Sequence, residues 1–345
     1  MRYAPVSVVV PMRDEAGAVV ALLEGLSRQE IRPREIVFVD TGSTDGSADC
    51  VRDWWAAQGW EGTNCRIIAE PGAYPGGGRN AGIRQSAESW IALIDCGIVP
   101  SPDWLAELLA RAGHSGSNAV LGMCRFEAEG TWGTAVCALS YGVGTRRPAL
   151  PASLFRRSLF DRIGYFDSNL RAGEDLKWLE ALARAGESVE ICDSAEVIYG
   201  RFPSSPSLAV RKWFEYEKHV SAGGIGGWKR RLAVLAPLLL YALFALSLAL
   251  GLAIWLSYIA GRSFLDPMRR SMRRVWWRGE PLALACAPLA AIAMDLARAI
   301  GCIFGLAAGD RRAAPLDAVA GAGAAMREGL VLWVLYFCYA TSVAL

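Results

Sequence analysis

The first two thirds of the chain alternate short apolar runs with segments of helical periodicity. β-Branched residues dominate the run Val6–Val10, and a second apolar run covers Ile36–Val39. Continuous runs of this kind predict strands that are buried on both faces. Between them, the leucines of Ala18–Leu26 recur at helical spacing and predict a helix. Strands that alternate with helices indicate an α/β fold, in which helices flank a mostly parallel sheet.

The same alternation continues beyond the first two strands. We predict further strands at Arg66–Ala69 and Trp90–Ile94, and further helices at Ser47–Gln58 and Asn80–Ser86. The segment between Glu70 and Asn80 is rich in glycine. It has neither the lysine of a P-loop nor the dinucleotide fingerprint, which argues against a dehydrogenase.

The last third of the chain is apolar enough to enter a lipid bilayer. Leu232–Gly261 is 30 residues without a charge, which as one helix would span about 45 Å, against about 30 Å of hydrocarbon. Residues 281–309 are apolar again but contain Asp295 and Arg298, so we expect that segment to lie in the interface or to face protein. Gly329–Leu345 is a third, shorter apolar stretch. An α-helical membrane domain is therefore predicted for residues 232–345.

An arginine-rich segment at residues 262–280, which includes Trp276 and Trp277, is typical of the cytoplasmic face of a membrane. A single crossing at 232–261 would place this segment outside, whereas a bent hairpin or a re-entrant pair would keep it inside; we favour the bent form. Val210–His219 mixes cations with aromatic residues and predicts an interfacial amphipathic helix. The predicted organisation is a first domain at 1–205, this helix with a linker at 206–231, and the membrane domain.

Composition and charge exclude several classes of protein. Residues 1–231 hold 26 of the 36 Lys and Arg residues and 28 of the 34 Asp and Glu residues. A net charge of only +2 argues against a nucleic-acid partner bound by bulk positive charge. Nine dispersed cysteines and two histidines form no zinc-site spacing and fit a reducing cytosol.

Two predicted strands end directly in an aspartate. Ile36–Val39 runs into Asp40, and Trp90–Ile94 runs into Asp95. Ligands of open α/β sheets bind beyond the carboxyl ends of the strands, so we expect both carboxylates to project toward one crevice. The alternative is that each aspartate only caps a turn.

Eight short motifs follow one another in order over roughly residues 5–200. They are Val6–Glu15, Glu35–Gly46, Gly78–Ile83, Ile91–Asp95, Pro100–Leu105, Ala152–Arg157, Ile163–Asp167 and Gly173–Asp175. This ordered set resembles the inverting family 2 glycosyltransferases of GT-A fold. The resemblance implies an enzyme that takes a sugar from a nucleotide-diphosphate donor, and the apolar last third of the chain indicates that this enzyme is membrane-bound.

The resemblance also implies a role for individual residues of the nucleotide site. Pro11, Glu15 and Asp40 would line the pocket of the base, because a carboxylate accepts from the N–H donors of uracil or guanine. Arg79 would approach the diphosphate. Asp95 would contact the ribose or a divalent metal, magnesium or manganese.

Asp175 would be the catalytic base. Gly173-Glu174-Asp175 opens a predicted helix, whose N-terminus stabilises an anion that can accept a proton from a sugar hydroxyl. The plain alternative is two acids in a first helical turn.

One departure from the family pattern concerns the metal. The family usually shows a second acid two residues after the first, where this chain has Asp95-Cys96-Gly97. With Gly97 in place of that acid, Asp95 and the diphosphate would hold the metal alone, or a cation such as Arg79 would replace it.

We therefore predict an inverting glycosyltransferase of the inner (plasma) membrane, with its catalytic domain in the cytoplasm and a role in polysaccharide biosynthesis. Its partners would be the sugar donor, membrane lipids and a lipid-linked saccharide whose hydroxyl is the acceptor. Two alternatives stay open: a polyprenyl-phosphate glycosyltransferase, whose anionic nucleophile needs no base, and a non-catalytic membrane scaffold with a degenerate metal site.

Overall fold

The computed structural model describes residues 2–58, 60–225, 227–243 and 247–309 of the chain. Its contacts divide the chain into two compact units. The first contains the residues up to Glu127 together with Arg146–Arg201, and the second contains Ala128–Thr145 and the residues from Phe202 onward. The predicted boundary at 205 differs from this division, because residues 128–145 pack in the second unit.

The first unit is built on one mixed sheet of eight strands, in the order β3-β2-β1-β4-β7-β6-β8-β5. The strands are β1 (Arg2–Met12), β2 (Ile31–Asp40), β3 (Asn64–Ala69), β4 (Trp90–Ile94), β5 (Ile98–Pro100), β6 (Ala119–Phe126), β7 (Arg146–Arg156) and β8 (Val189–Tyr199). Strands β1 to β4 are mutually parallel, β7 runs antiparallel to both of its neighbours, and β5 runs antiparallel to β8. The predicted α/β class is confirmed, with two antiparallel strands, β7 inside the sheet and β5 at its edge.

Helices fill the connections between these strands and form the second unit. In chain order they are α1 (Ala16–Ser27), α2 (Ser47–Gln58), α3 (Pro75–Gln85), α4 (Trp104–Ser115), α5 (Thr131–Ser140), α6 (Arg157–Ile163), α7 (Glu174–Arg184), α8 (Pro206–Ala222), α9 (Gly227–Leu243), α10 (Leu248–Ala260), α11 (Asp266–Arg270) and α12 (Leu282–Gly309). A π-helical turn, Gly261–Leu265, joins α10 to α11.

The core of the first unit lies on both faces of its central strands. Every residue of β4 is buried, and Val8, Val9 and Val10 of β1 are fully inaccessible, as their apolar runs predict. On one face the ring of Phe160 stacks on that of Trp178 with 4.9 Å between centroids. Because Trp178 lies in α7, this aromatic packing fixes the helix that begins with Glu174 and Asp175.

The helices of the second unit pack closely because α12 carries small side chains. The alanines of α12 are buried against α5 and α8, together with Trp213 and Trp276. A Cβ atom at Gly301 would overlap the carbonyl oxygen of Phe214, and one at Gly305 would overlap that of Lys218, so the backbones of α12 and α8 touch. The apolar face of α5 therefore packs against α12. The sequence pattern of residues 128–145 alone does not indicate this partner.

The two apolar segments of the second unit differ in continuity. Residues 232–261 are not one straight helix, since Ser247 has an extended backbone and caps α10 by accepting from the amide of Leu250, whereas α12 is one helix of 28 residues. Two described stretches, Leu248–Arg270 and Leu282–Ala308, are long and apolar enough to cross a membrane. The predicted apolar stretch Gly329–Leu345 lies outside the described residues.

Candidate functional site

The carboxyl ends of three neighbouring strands form the edge of the sheet on which the predicted residues lie. Met12 of β1 pairs with Asp40 of β2, and Val9 of β1 pairs with Leu93 of β4. Asp40 and Asp95 therefore flank the end of β1, about 10 Å apart along the sheet at two strand spacings. Pro11 of β1 lies between them and is half-buried. The expectation that both aspartates come to one edge agrees with this register.

Arg79 connects this edge to the beginning of α7. Its guanidinium donates from Nη2 to Oδ1 of Asp95 at 2.6 Å and from Nη1 to Oε1 of Glu174 at 2.5 Å. Its side chain is 5% exposed. A buried cation between two carboxylates is held by both, so Arg79 fixes the distance between Asp95 and the turn that carries Asp175. It has little surface left for the direct contact with a diphosphate that its motif implies.

Arg79 is buried because α3, the helix that carries it, packs closely against the sheet. The helix begins at Pro75 and includes the glycines that were expected in a loop before a helix at Asn80. A Cβ atom at Gly82 would overlap the side chain of Val9, and one at Gly76 would lie 2.8 Å from the carbonyl oxygen of Asp167. These glycines let α3 press against the sheet and the turn before α7, so no phosphate is needed to explain them.

The two acids at the start of α7 have different environments. Gly173 takes a left-handed conformation with φ at 83°, and the helix begins with the next residue. Glu174 is buried, and burial raises the pKa of its carboxyl while the charge of Arg79 opposes that rise. Asp175 is half-buried, and its Oδ1 accepts from the amide of Leu176 at 2.8 Å. Glu174 is thus the structural acid and Asp175 the one open to a substrate, a distinction that the sequence motif does not make.

Glu15 lies before α1 at the same edge and forms an ion pair with Arg201, which follows β8. Burial raises the pKa of Glu15, and the charges of Asp45 and Asp95 add to this, against the effect of Arg201. Glu15 and Asp95 therefore act on each other electrostatically. Arg201 is a residue that sequence analysis missed, because it belongs to none of the recognised motifs.

The loop that begins at Asp40 is tied down by its own polar groups. Oδ1 of Asp40 accepts from the amides of Gly42 and Ser43 at 3.1 and 2.8 Å. The side chain of Asp45 accepts from the amides of Ala16 and Ser47, which joins this loop to the start of α1. Asp40 thus caps a turn, as the plain alternative held, and it does so at the edge that holds Asp95.

The residues at this edge do not fit a family-type metal site. In the part of the chain that the structure describes, no group of three or more His, Cys, Asp and Glu side chains could hold an ion. Asp95 is paired with Arg79, and Gly97 brings no ligand. Burial raises the pKa of the Cys96 thiol to about 12, so it stays protonated and is a poor ligand.

Comparison with known sequences identifies relatives of this chain. Residues 7–165 match the sequence model of "Glycosyl transferase family 2". The chain is 27% identical to glycosyltransferase AglE of Haloferax volcanii over 215 residues, which cover 58% of this chain and 67% of AglE. It is 30% identical to the succinoglycan biosynthesis protein ExoO of Rhizobium meliloti, over 64% of this chain and 62% of ExoO. The chain thus spans about two thirds or less of these relatives.

Solved structures with similar folds are more distant. TarS of S. aureus in complex with UDP matches 86% of this chain and 90% of its own at 18% identity, with a TM-score of 0.43. The mannosyltransferase PcManGT from Pyrobaculum calidifontis, in complex with GDP-Man and Mn²⁺, matches 98% and 83% at 17% identity, with a TM-score of 0.47.

The match of the family model begins at Ser7 in β1 and ends at Tyr165, after α6. It includes the ends of β1, β2 and β4 and the helix that carries Arg79. Of the two sequence relatives, one is named a glycosyltransferase and the other a succinoglycan biosynthesis protein. The resemblance read from the motifs is confirmed, because residues 7–165 match the glycosyl transferase family 2 model.

Proposed function

We propose that this protein is a membrane-bound inverting glycosyltransferase. It moves one sugar from a nucleotide-diphosphate donor to a hydroxyl of a lipid-linked saccharide. The observation that carries the proposal is the buried Arg79 guanidinium, which joins Asp95 at the end of β4 to Glu174 beside Asp175. This contact supports the proposal, because it holds Asp95 near the start of the helix that carries Asp175, from positions distant in the chain.

In this proposal the donor lies across the carboxyl ends of β1, β2 and β4. Pro11, Glu15 and Asp40 line the pocket of the base, where a carboxylate accepts N–H donors of uracil or guanine. Asp95 is 37% exposed while Arg79 holds one of its oxygens, so it can accept from a ribose hydroxyl. Arg79 is a positioning residue in this account, because it touches the two carboxylates rather than the donor.

Asp175 is the catalytic base. Its carboxylate lies in the first turn of α7, where the helix dipole favours the ionised form. It takes the proton of the acceptor hydroxyl while the oxygen attacks the anomeric carbon from the side opposite the diphosphate. The bond from that carbon to the diphosphate oxygen breaks, the nucleoside diphosphate leaves with the bonding electrons, and the configuration at the carbon inverts.

The lipid-linked acceptor and the membrane location rest on the second unit and on the relatives. Two described stretches are long and apolar enough to cross a bilayer. The relative ExoO is named for succinoglycan biosynthesis, which supports a saccharide product. Sugar nucleotides are made in the cytosol, so the catalytic domain faces the cytoplasm at the inner membrane.

The test is a screen of donor consumption over a panel of UDP- and GDP-sugars, using membranes that contain the protein. We expect one donor to be consumed, with its sugar transferred to the lipid fraction. Membranes that carry Asp175→Asn in equal amount are the matched control and should leave that donor intact. Consumption of no donor, together with no binding of UDP or GDP, would contradict the proposal and favour the scaffold.

A further inference from the structure

Gly97 and Arg201 share the space beside Asp95. Gly97 has a φ of 90°, and a Cβ atom built on it would lie 3.1 Å from Cδ and 3.5 Å from Nη1 of Arg201. A side chain at position 97 would therefore touch the arginine, which would have to give by a few tenths of an ångström. Position 97 is where the family pattern has its second acid, so a cationic side chain lies where an acidic one would project.

The Arg201 guanidinium can take a second anion while it holds Glu15. It forms an ion pair with Glu15 through Nη1, and its side chain is 52% exposed. A guanidinium has five N–H donors in a rigid fork, which suits the simultaneous binding of a carboxylate and a phosphate. The charge of Arg201 also acts on Cys96, in the turn that follows β4, where it opposes the rise in the thiol pKa that burial and the charge of Glu15 cause.

Arg79 is not equivalent to Arg201 in this respect. Its side chain is 5% exposed and both terminal nitrogens bind carboxylates, Asp95 and Glu174. Arg79 has no comparable surface for a diphosphate, whereas Arg201 does. Arg79 is thus buried and fixes the two acids, whereas Arg201 is half-exposed and faces solvent at the same edge of the sheet.

We propose that the Arg201 guanidinium takes the place of the divalent cation, binding the diphosphate of the donor and stabilising its charge as it leaves. The proposal rests on the proposed function, because it assumes that a nucleotide diphosphate binds at this edge. Glu15 holds the guanidinium in position in the free protein, and the phosphate oxygens join it when the donor binds. Donor binding by this protein then needs no metal ion.

The experiment is isothermal titration of the full-length, detergent-solubilised protein with UDP and with GDP, each beside its nucleoside, in EDTA and then in Mn²⁺. We expect the wild-type protein to bind one of the two diphosphates in EDTA, with less than a twofold gain from Mn²⁺. Arg201→Ala should weaken binding of that diphosphate by about 10- to 100-fold, the size of one charge-assisted contact. Binding of the nucleoside, whose base lies beside Glu15, the partner of Arg201, should weaken by much less than binding of the diphosphate.

Arg111→Ala is the matched control. Arg111 is also half-exposed and paired with a glutamate, Glu190, which lies near the start of β8 rather than after its end. The control should bind the diphosphate as the wild type does. Arg201→Lys keeps the charge and serves as the second variant if Arg201→Ala does not fold; it should lose less than Arg201→Ala and more than the control.

Two results overturn the inference. The first is diphosphate binding by the wild type that appears only with Mn²⁺. The second is that Arg201→Ala binds the diphosphate in EDTA as tightly as the wild type does. Where Arg201→Ala does not fold, the same comparison is made with Arg201→Lys. Failure of the wild type to bind either diphosphate under both conditions contradicts the proposed function itself. The two failures are therefore distinguishable.

Discussion

Both units of this protein bury an arginine between two acids, and the two arrangements differ in what they leave open. In the first unit, Arg79 holds Asp95 and Glu174, and Asp95 stays 37% exposed. In the second, Arg262 holds Asp295 and Asp266, and Asp295 is only 9% exposed.

The contacts of the two aspartates explain this difference. Oδ2 of Asp295 accepts from Tyr258 and from Nε of Arg262, while its Oδ1 accepts from Nη2 at 3.2 Å. Asp95 engages Arg79 through Oδ1. The cluster around Arg262, whose aspartate is covered, only joins helices. The cluster around Arg79, whose aspartate is partly exposed, can also bind a ligand. Exposure of the acid, rather than the presence of a buried ion pair, separates a candidate site from a structural contact.

The largest expected effect comes from the acid next to the open cluster. Asp175→Asn should lower the transfer rate by about 10²- to 10⁴-fold, the usual contribution of a general base, because an amide cannot take the hydroxyl proton. Binding of the donor should change little. Transfer assays and titrations on the same preparation check both quantities. Full activity of the variant would instead favour the polyprenyl-phosphate enzyme, whose nucleophile is already an anion.

The second effect compares the two arginines directly. Arg79→Leu and Arg262→Leu should each lower the free energy of unfolding by about 3–5 kcal/mol, because each leaves a carboxylate buried without its cation. Denaturation of the purified protein followed by tryptophan fluorescence measures this loss.

The paired substitutions separate structure from function. Arg262→Leu with Asp295→Leu should recover most of the lost stability and keep donor binding, since apolar residues of similar volume replace a buried pair well. Arg79→Leu with Glu174→Leu should recover stability but lose transfer. Equal transfer in the two double variants would remove the distinction between the clusters.

A smaller effect tests the packing that holds the second unit. Gly305→Ala should destabilise the protein by about 1–3 kcal/mol, because its Cβ atom would overlap the carbonyl oxygen of Lys218 on α8. Gly113→Ala on α4 is the control, since a Cβ atom there meets nothing within 4 Å. The control should be neutral or slightly stabilising, as alanine is favoured over glycine within a helix. Equal loss in both variants would contradict the close approach of α8 and α12.

The smallest effect concerns Glu35, a buried acid of the first unit that lies midway along β2. Burial alone would raise the pKa of Glu35, but bonds from Ser7, Ala87 and Arg66 lower it below its ordinary value of 4.5. The folded state therefore prefers the anion. The resulting stabilisation is complete above about pH 4.5 and is lost as the pH falls through the lowered pKa.

Unfolding midpoints between pH 3 and pH 6 test this expectation. Glu35→Gln should lose less stability on acidification than the wild type does, although it is less stable at pH 6. If the unfolding midpoints of the two proteins fall equally with pH, Glu35 titrates alike in the folded and unfolded states, and the prediction is wrong.

The part of this structure that could be predicted from sequence is the part set by local pattern. The runs Val6–Val10 and Ile36–Val39 lie within β1 and β2, and the acids that follow strands lie at one edge. Periodicity and strand direction suffice for these features, because each depends on neighbouring residues.

The rest depends on pairs that are distant in the chain. Arg79 and Glu174 are 95 positions apart, and Arg201 and Glu15 are 186 apart. No local signal distinguishes Glu174 from Asp175, since both are acids in a first helical turn. The helical start at Pro75 was missed for a related reason: its glycines are poor helix formers, and only the close approach of the sheet explains them.

The most direct test of the account is a structure of this protein with the nucleoside diphosphate that it binds, determined in the presence of EDTA. We expect the base to lie against Pro11 and Asp40, and the diphosphate to lie within hydrogen-bonding distance of Arg201, with Asp175 facing the vacant sugar position. A nucleotide bound elsewhere, or one whose phosphates contact neither Arg201 nor the turn at Asp95, would contradict it.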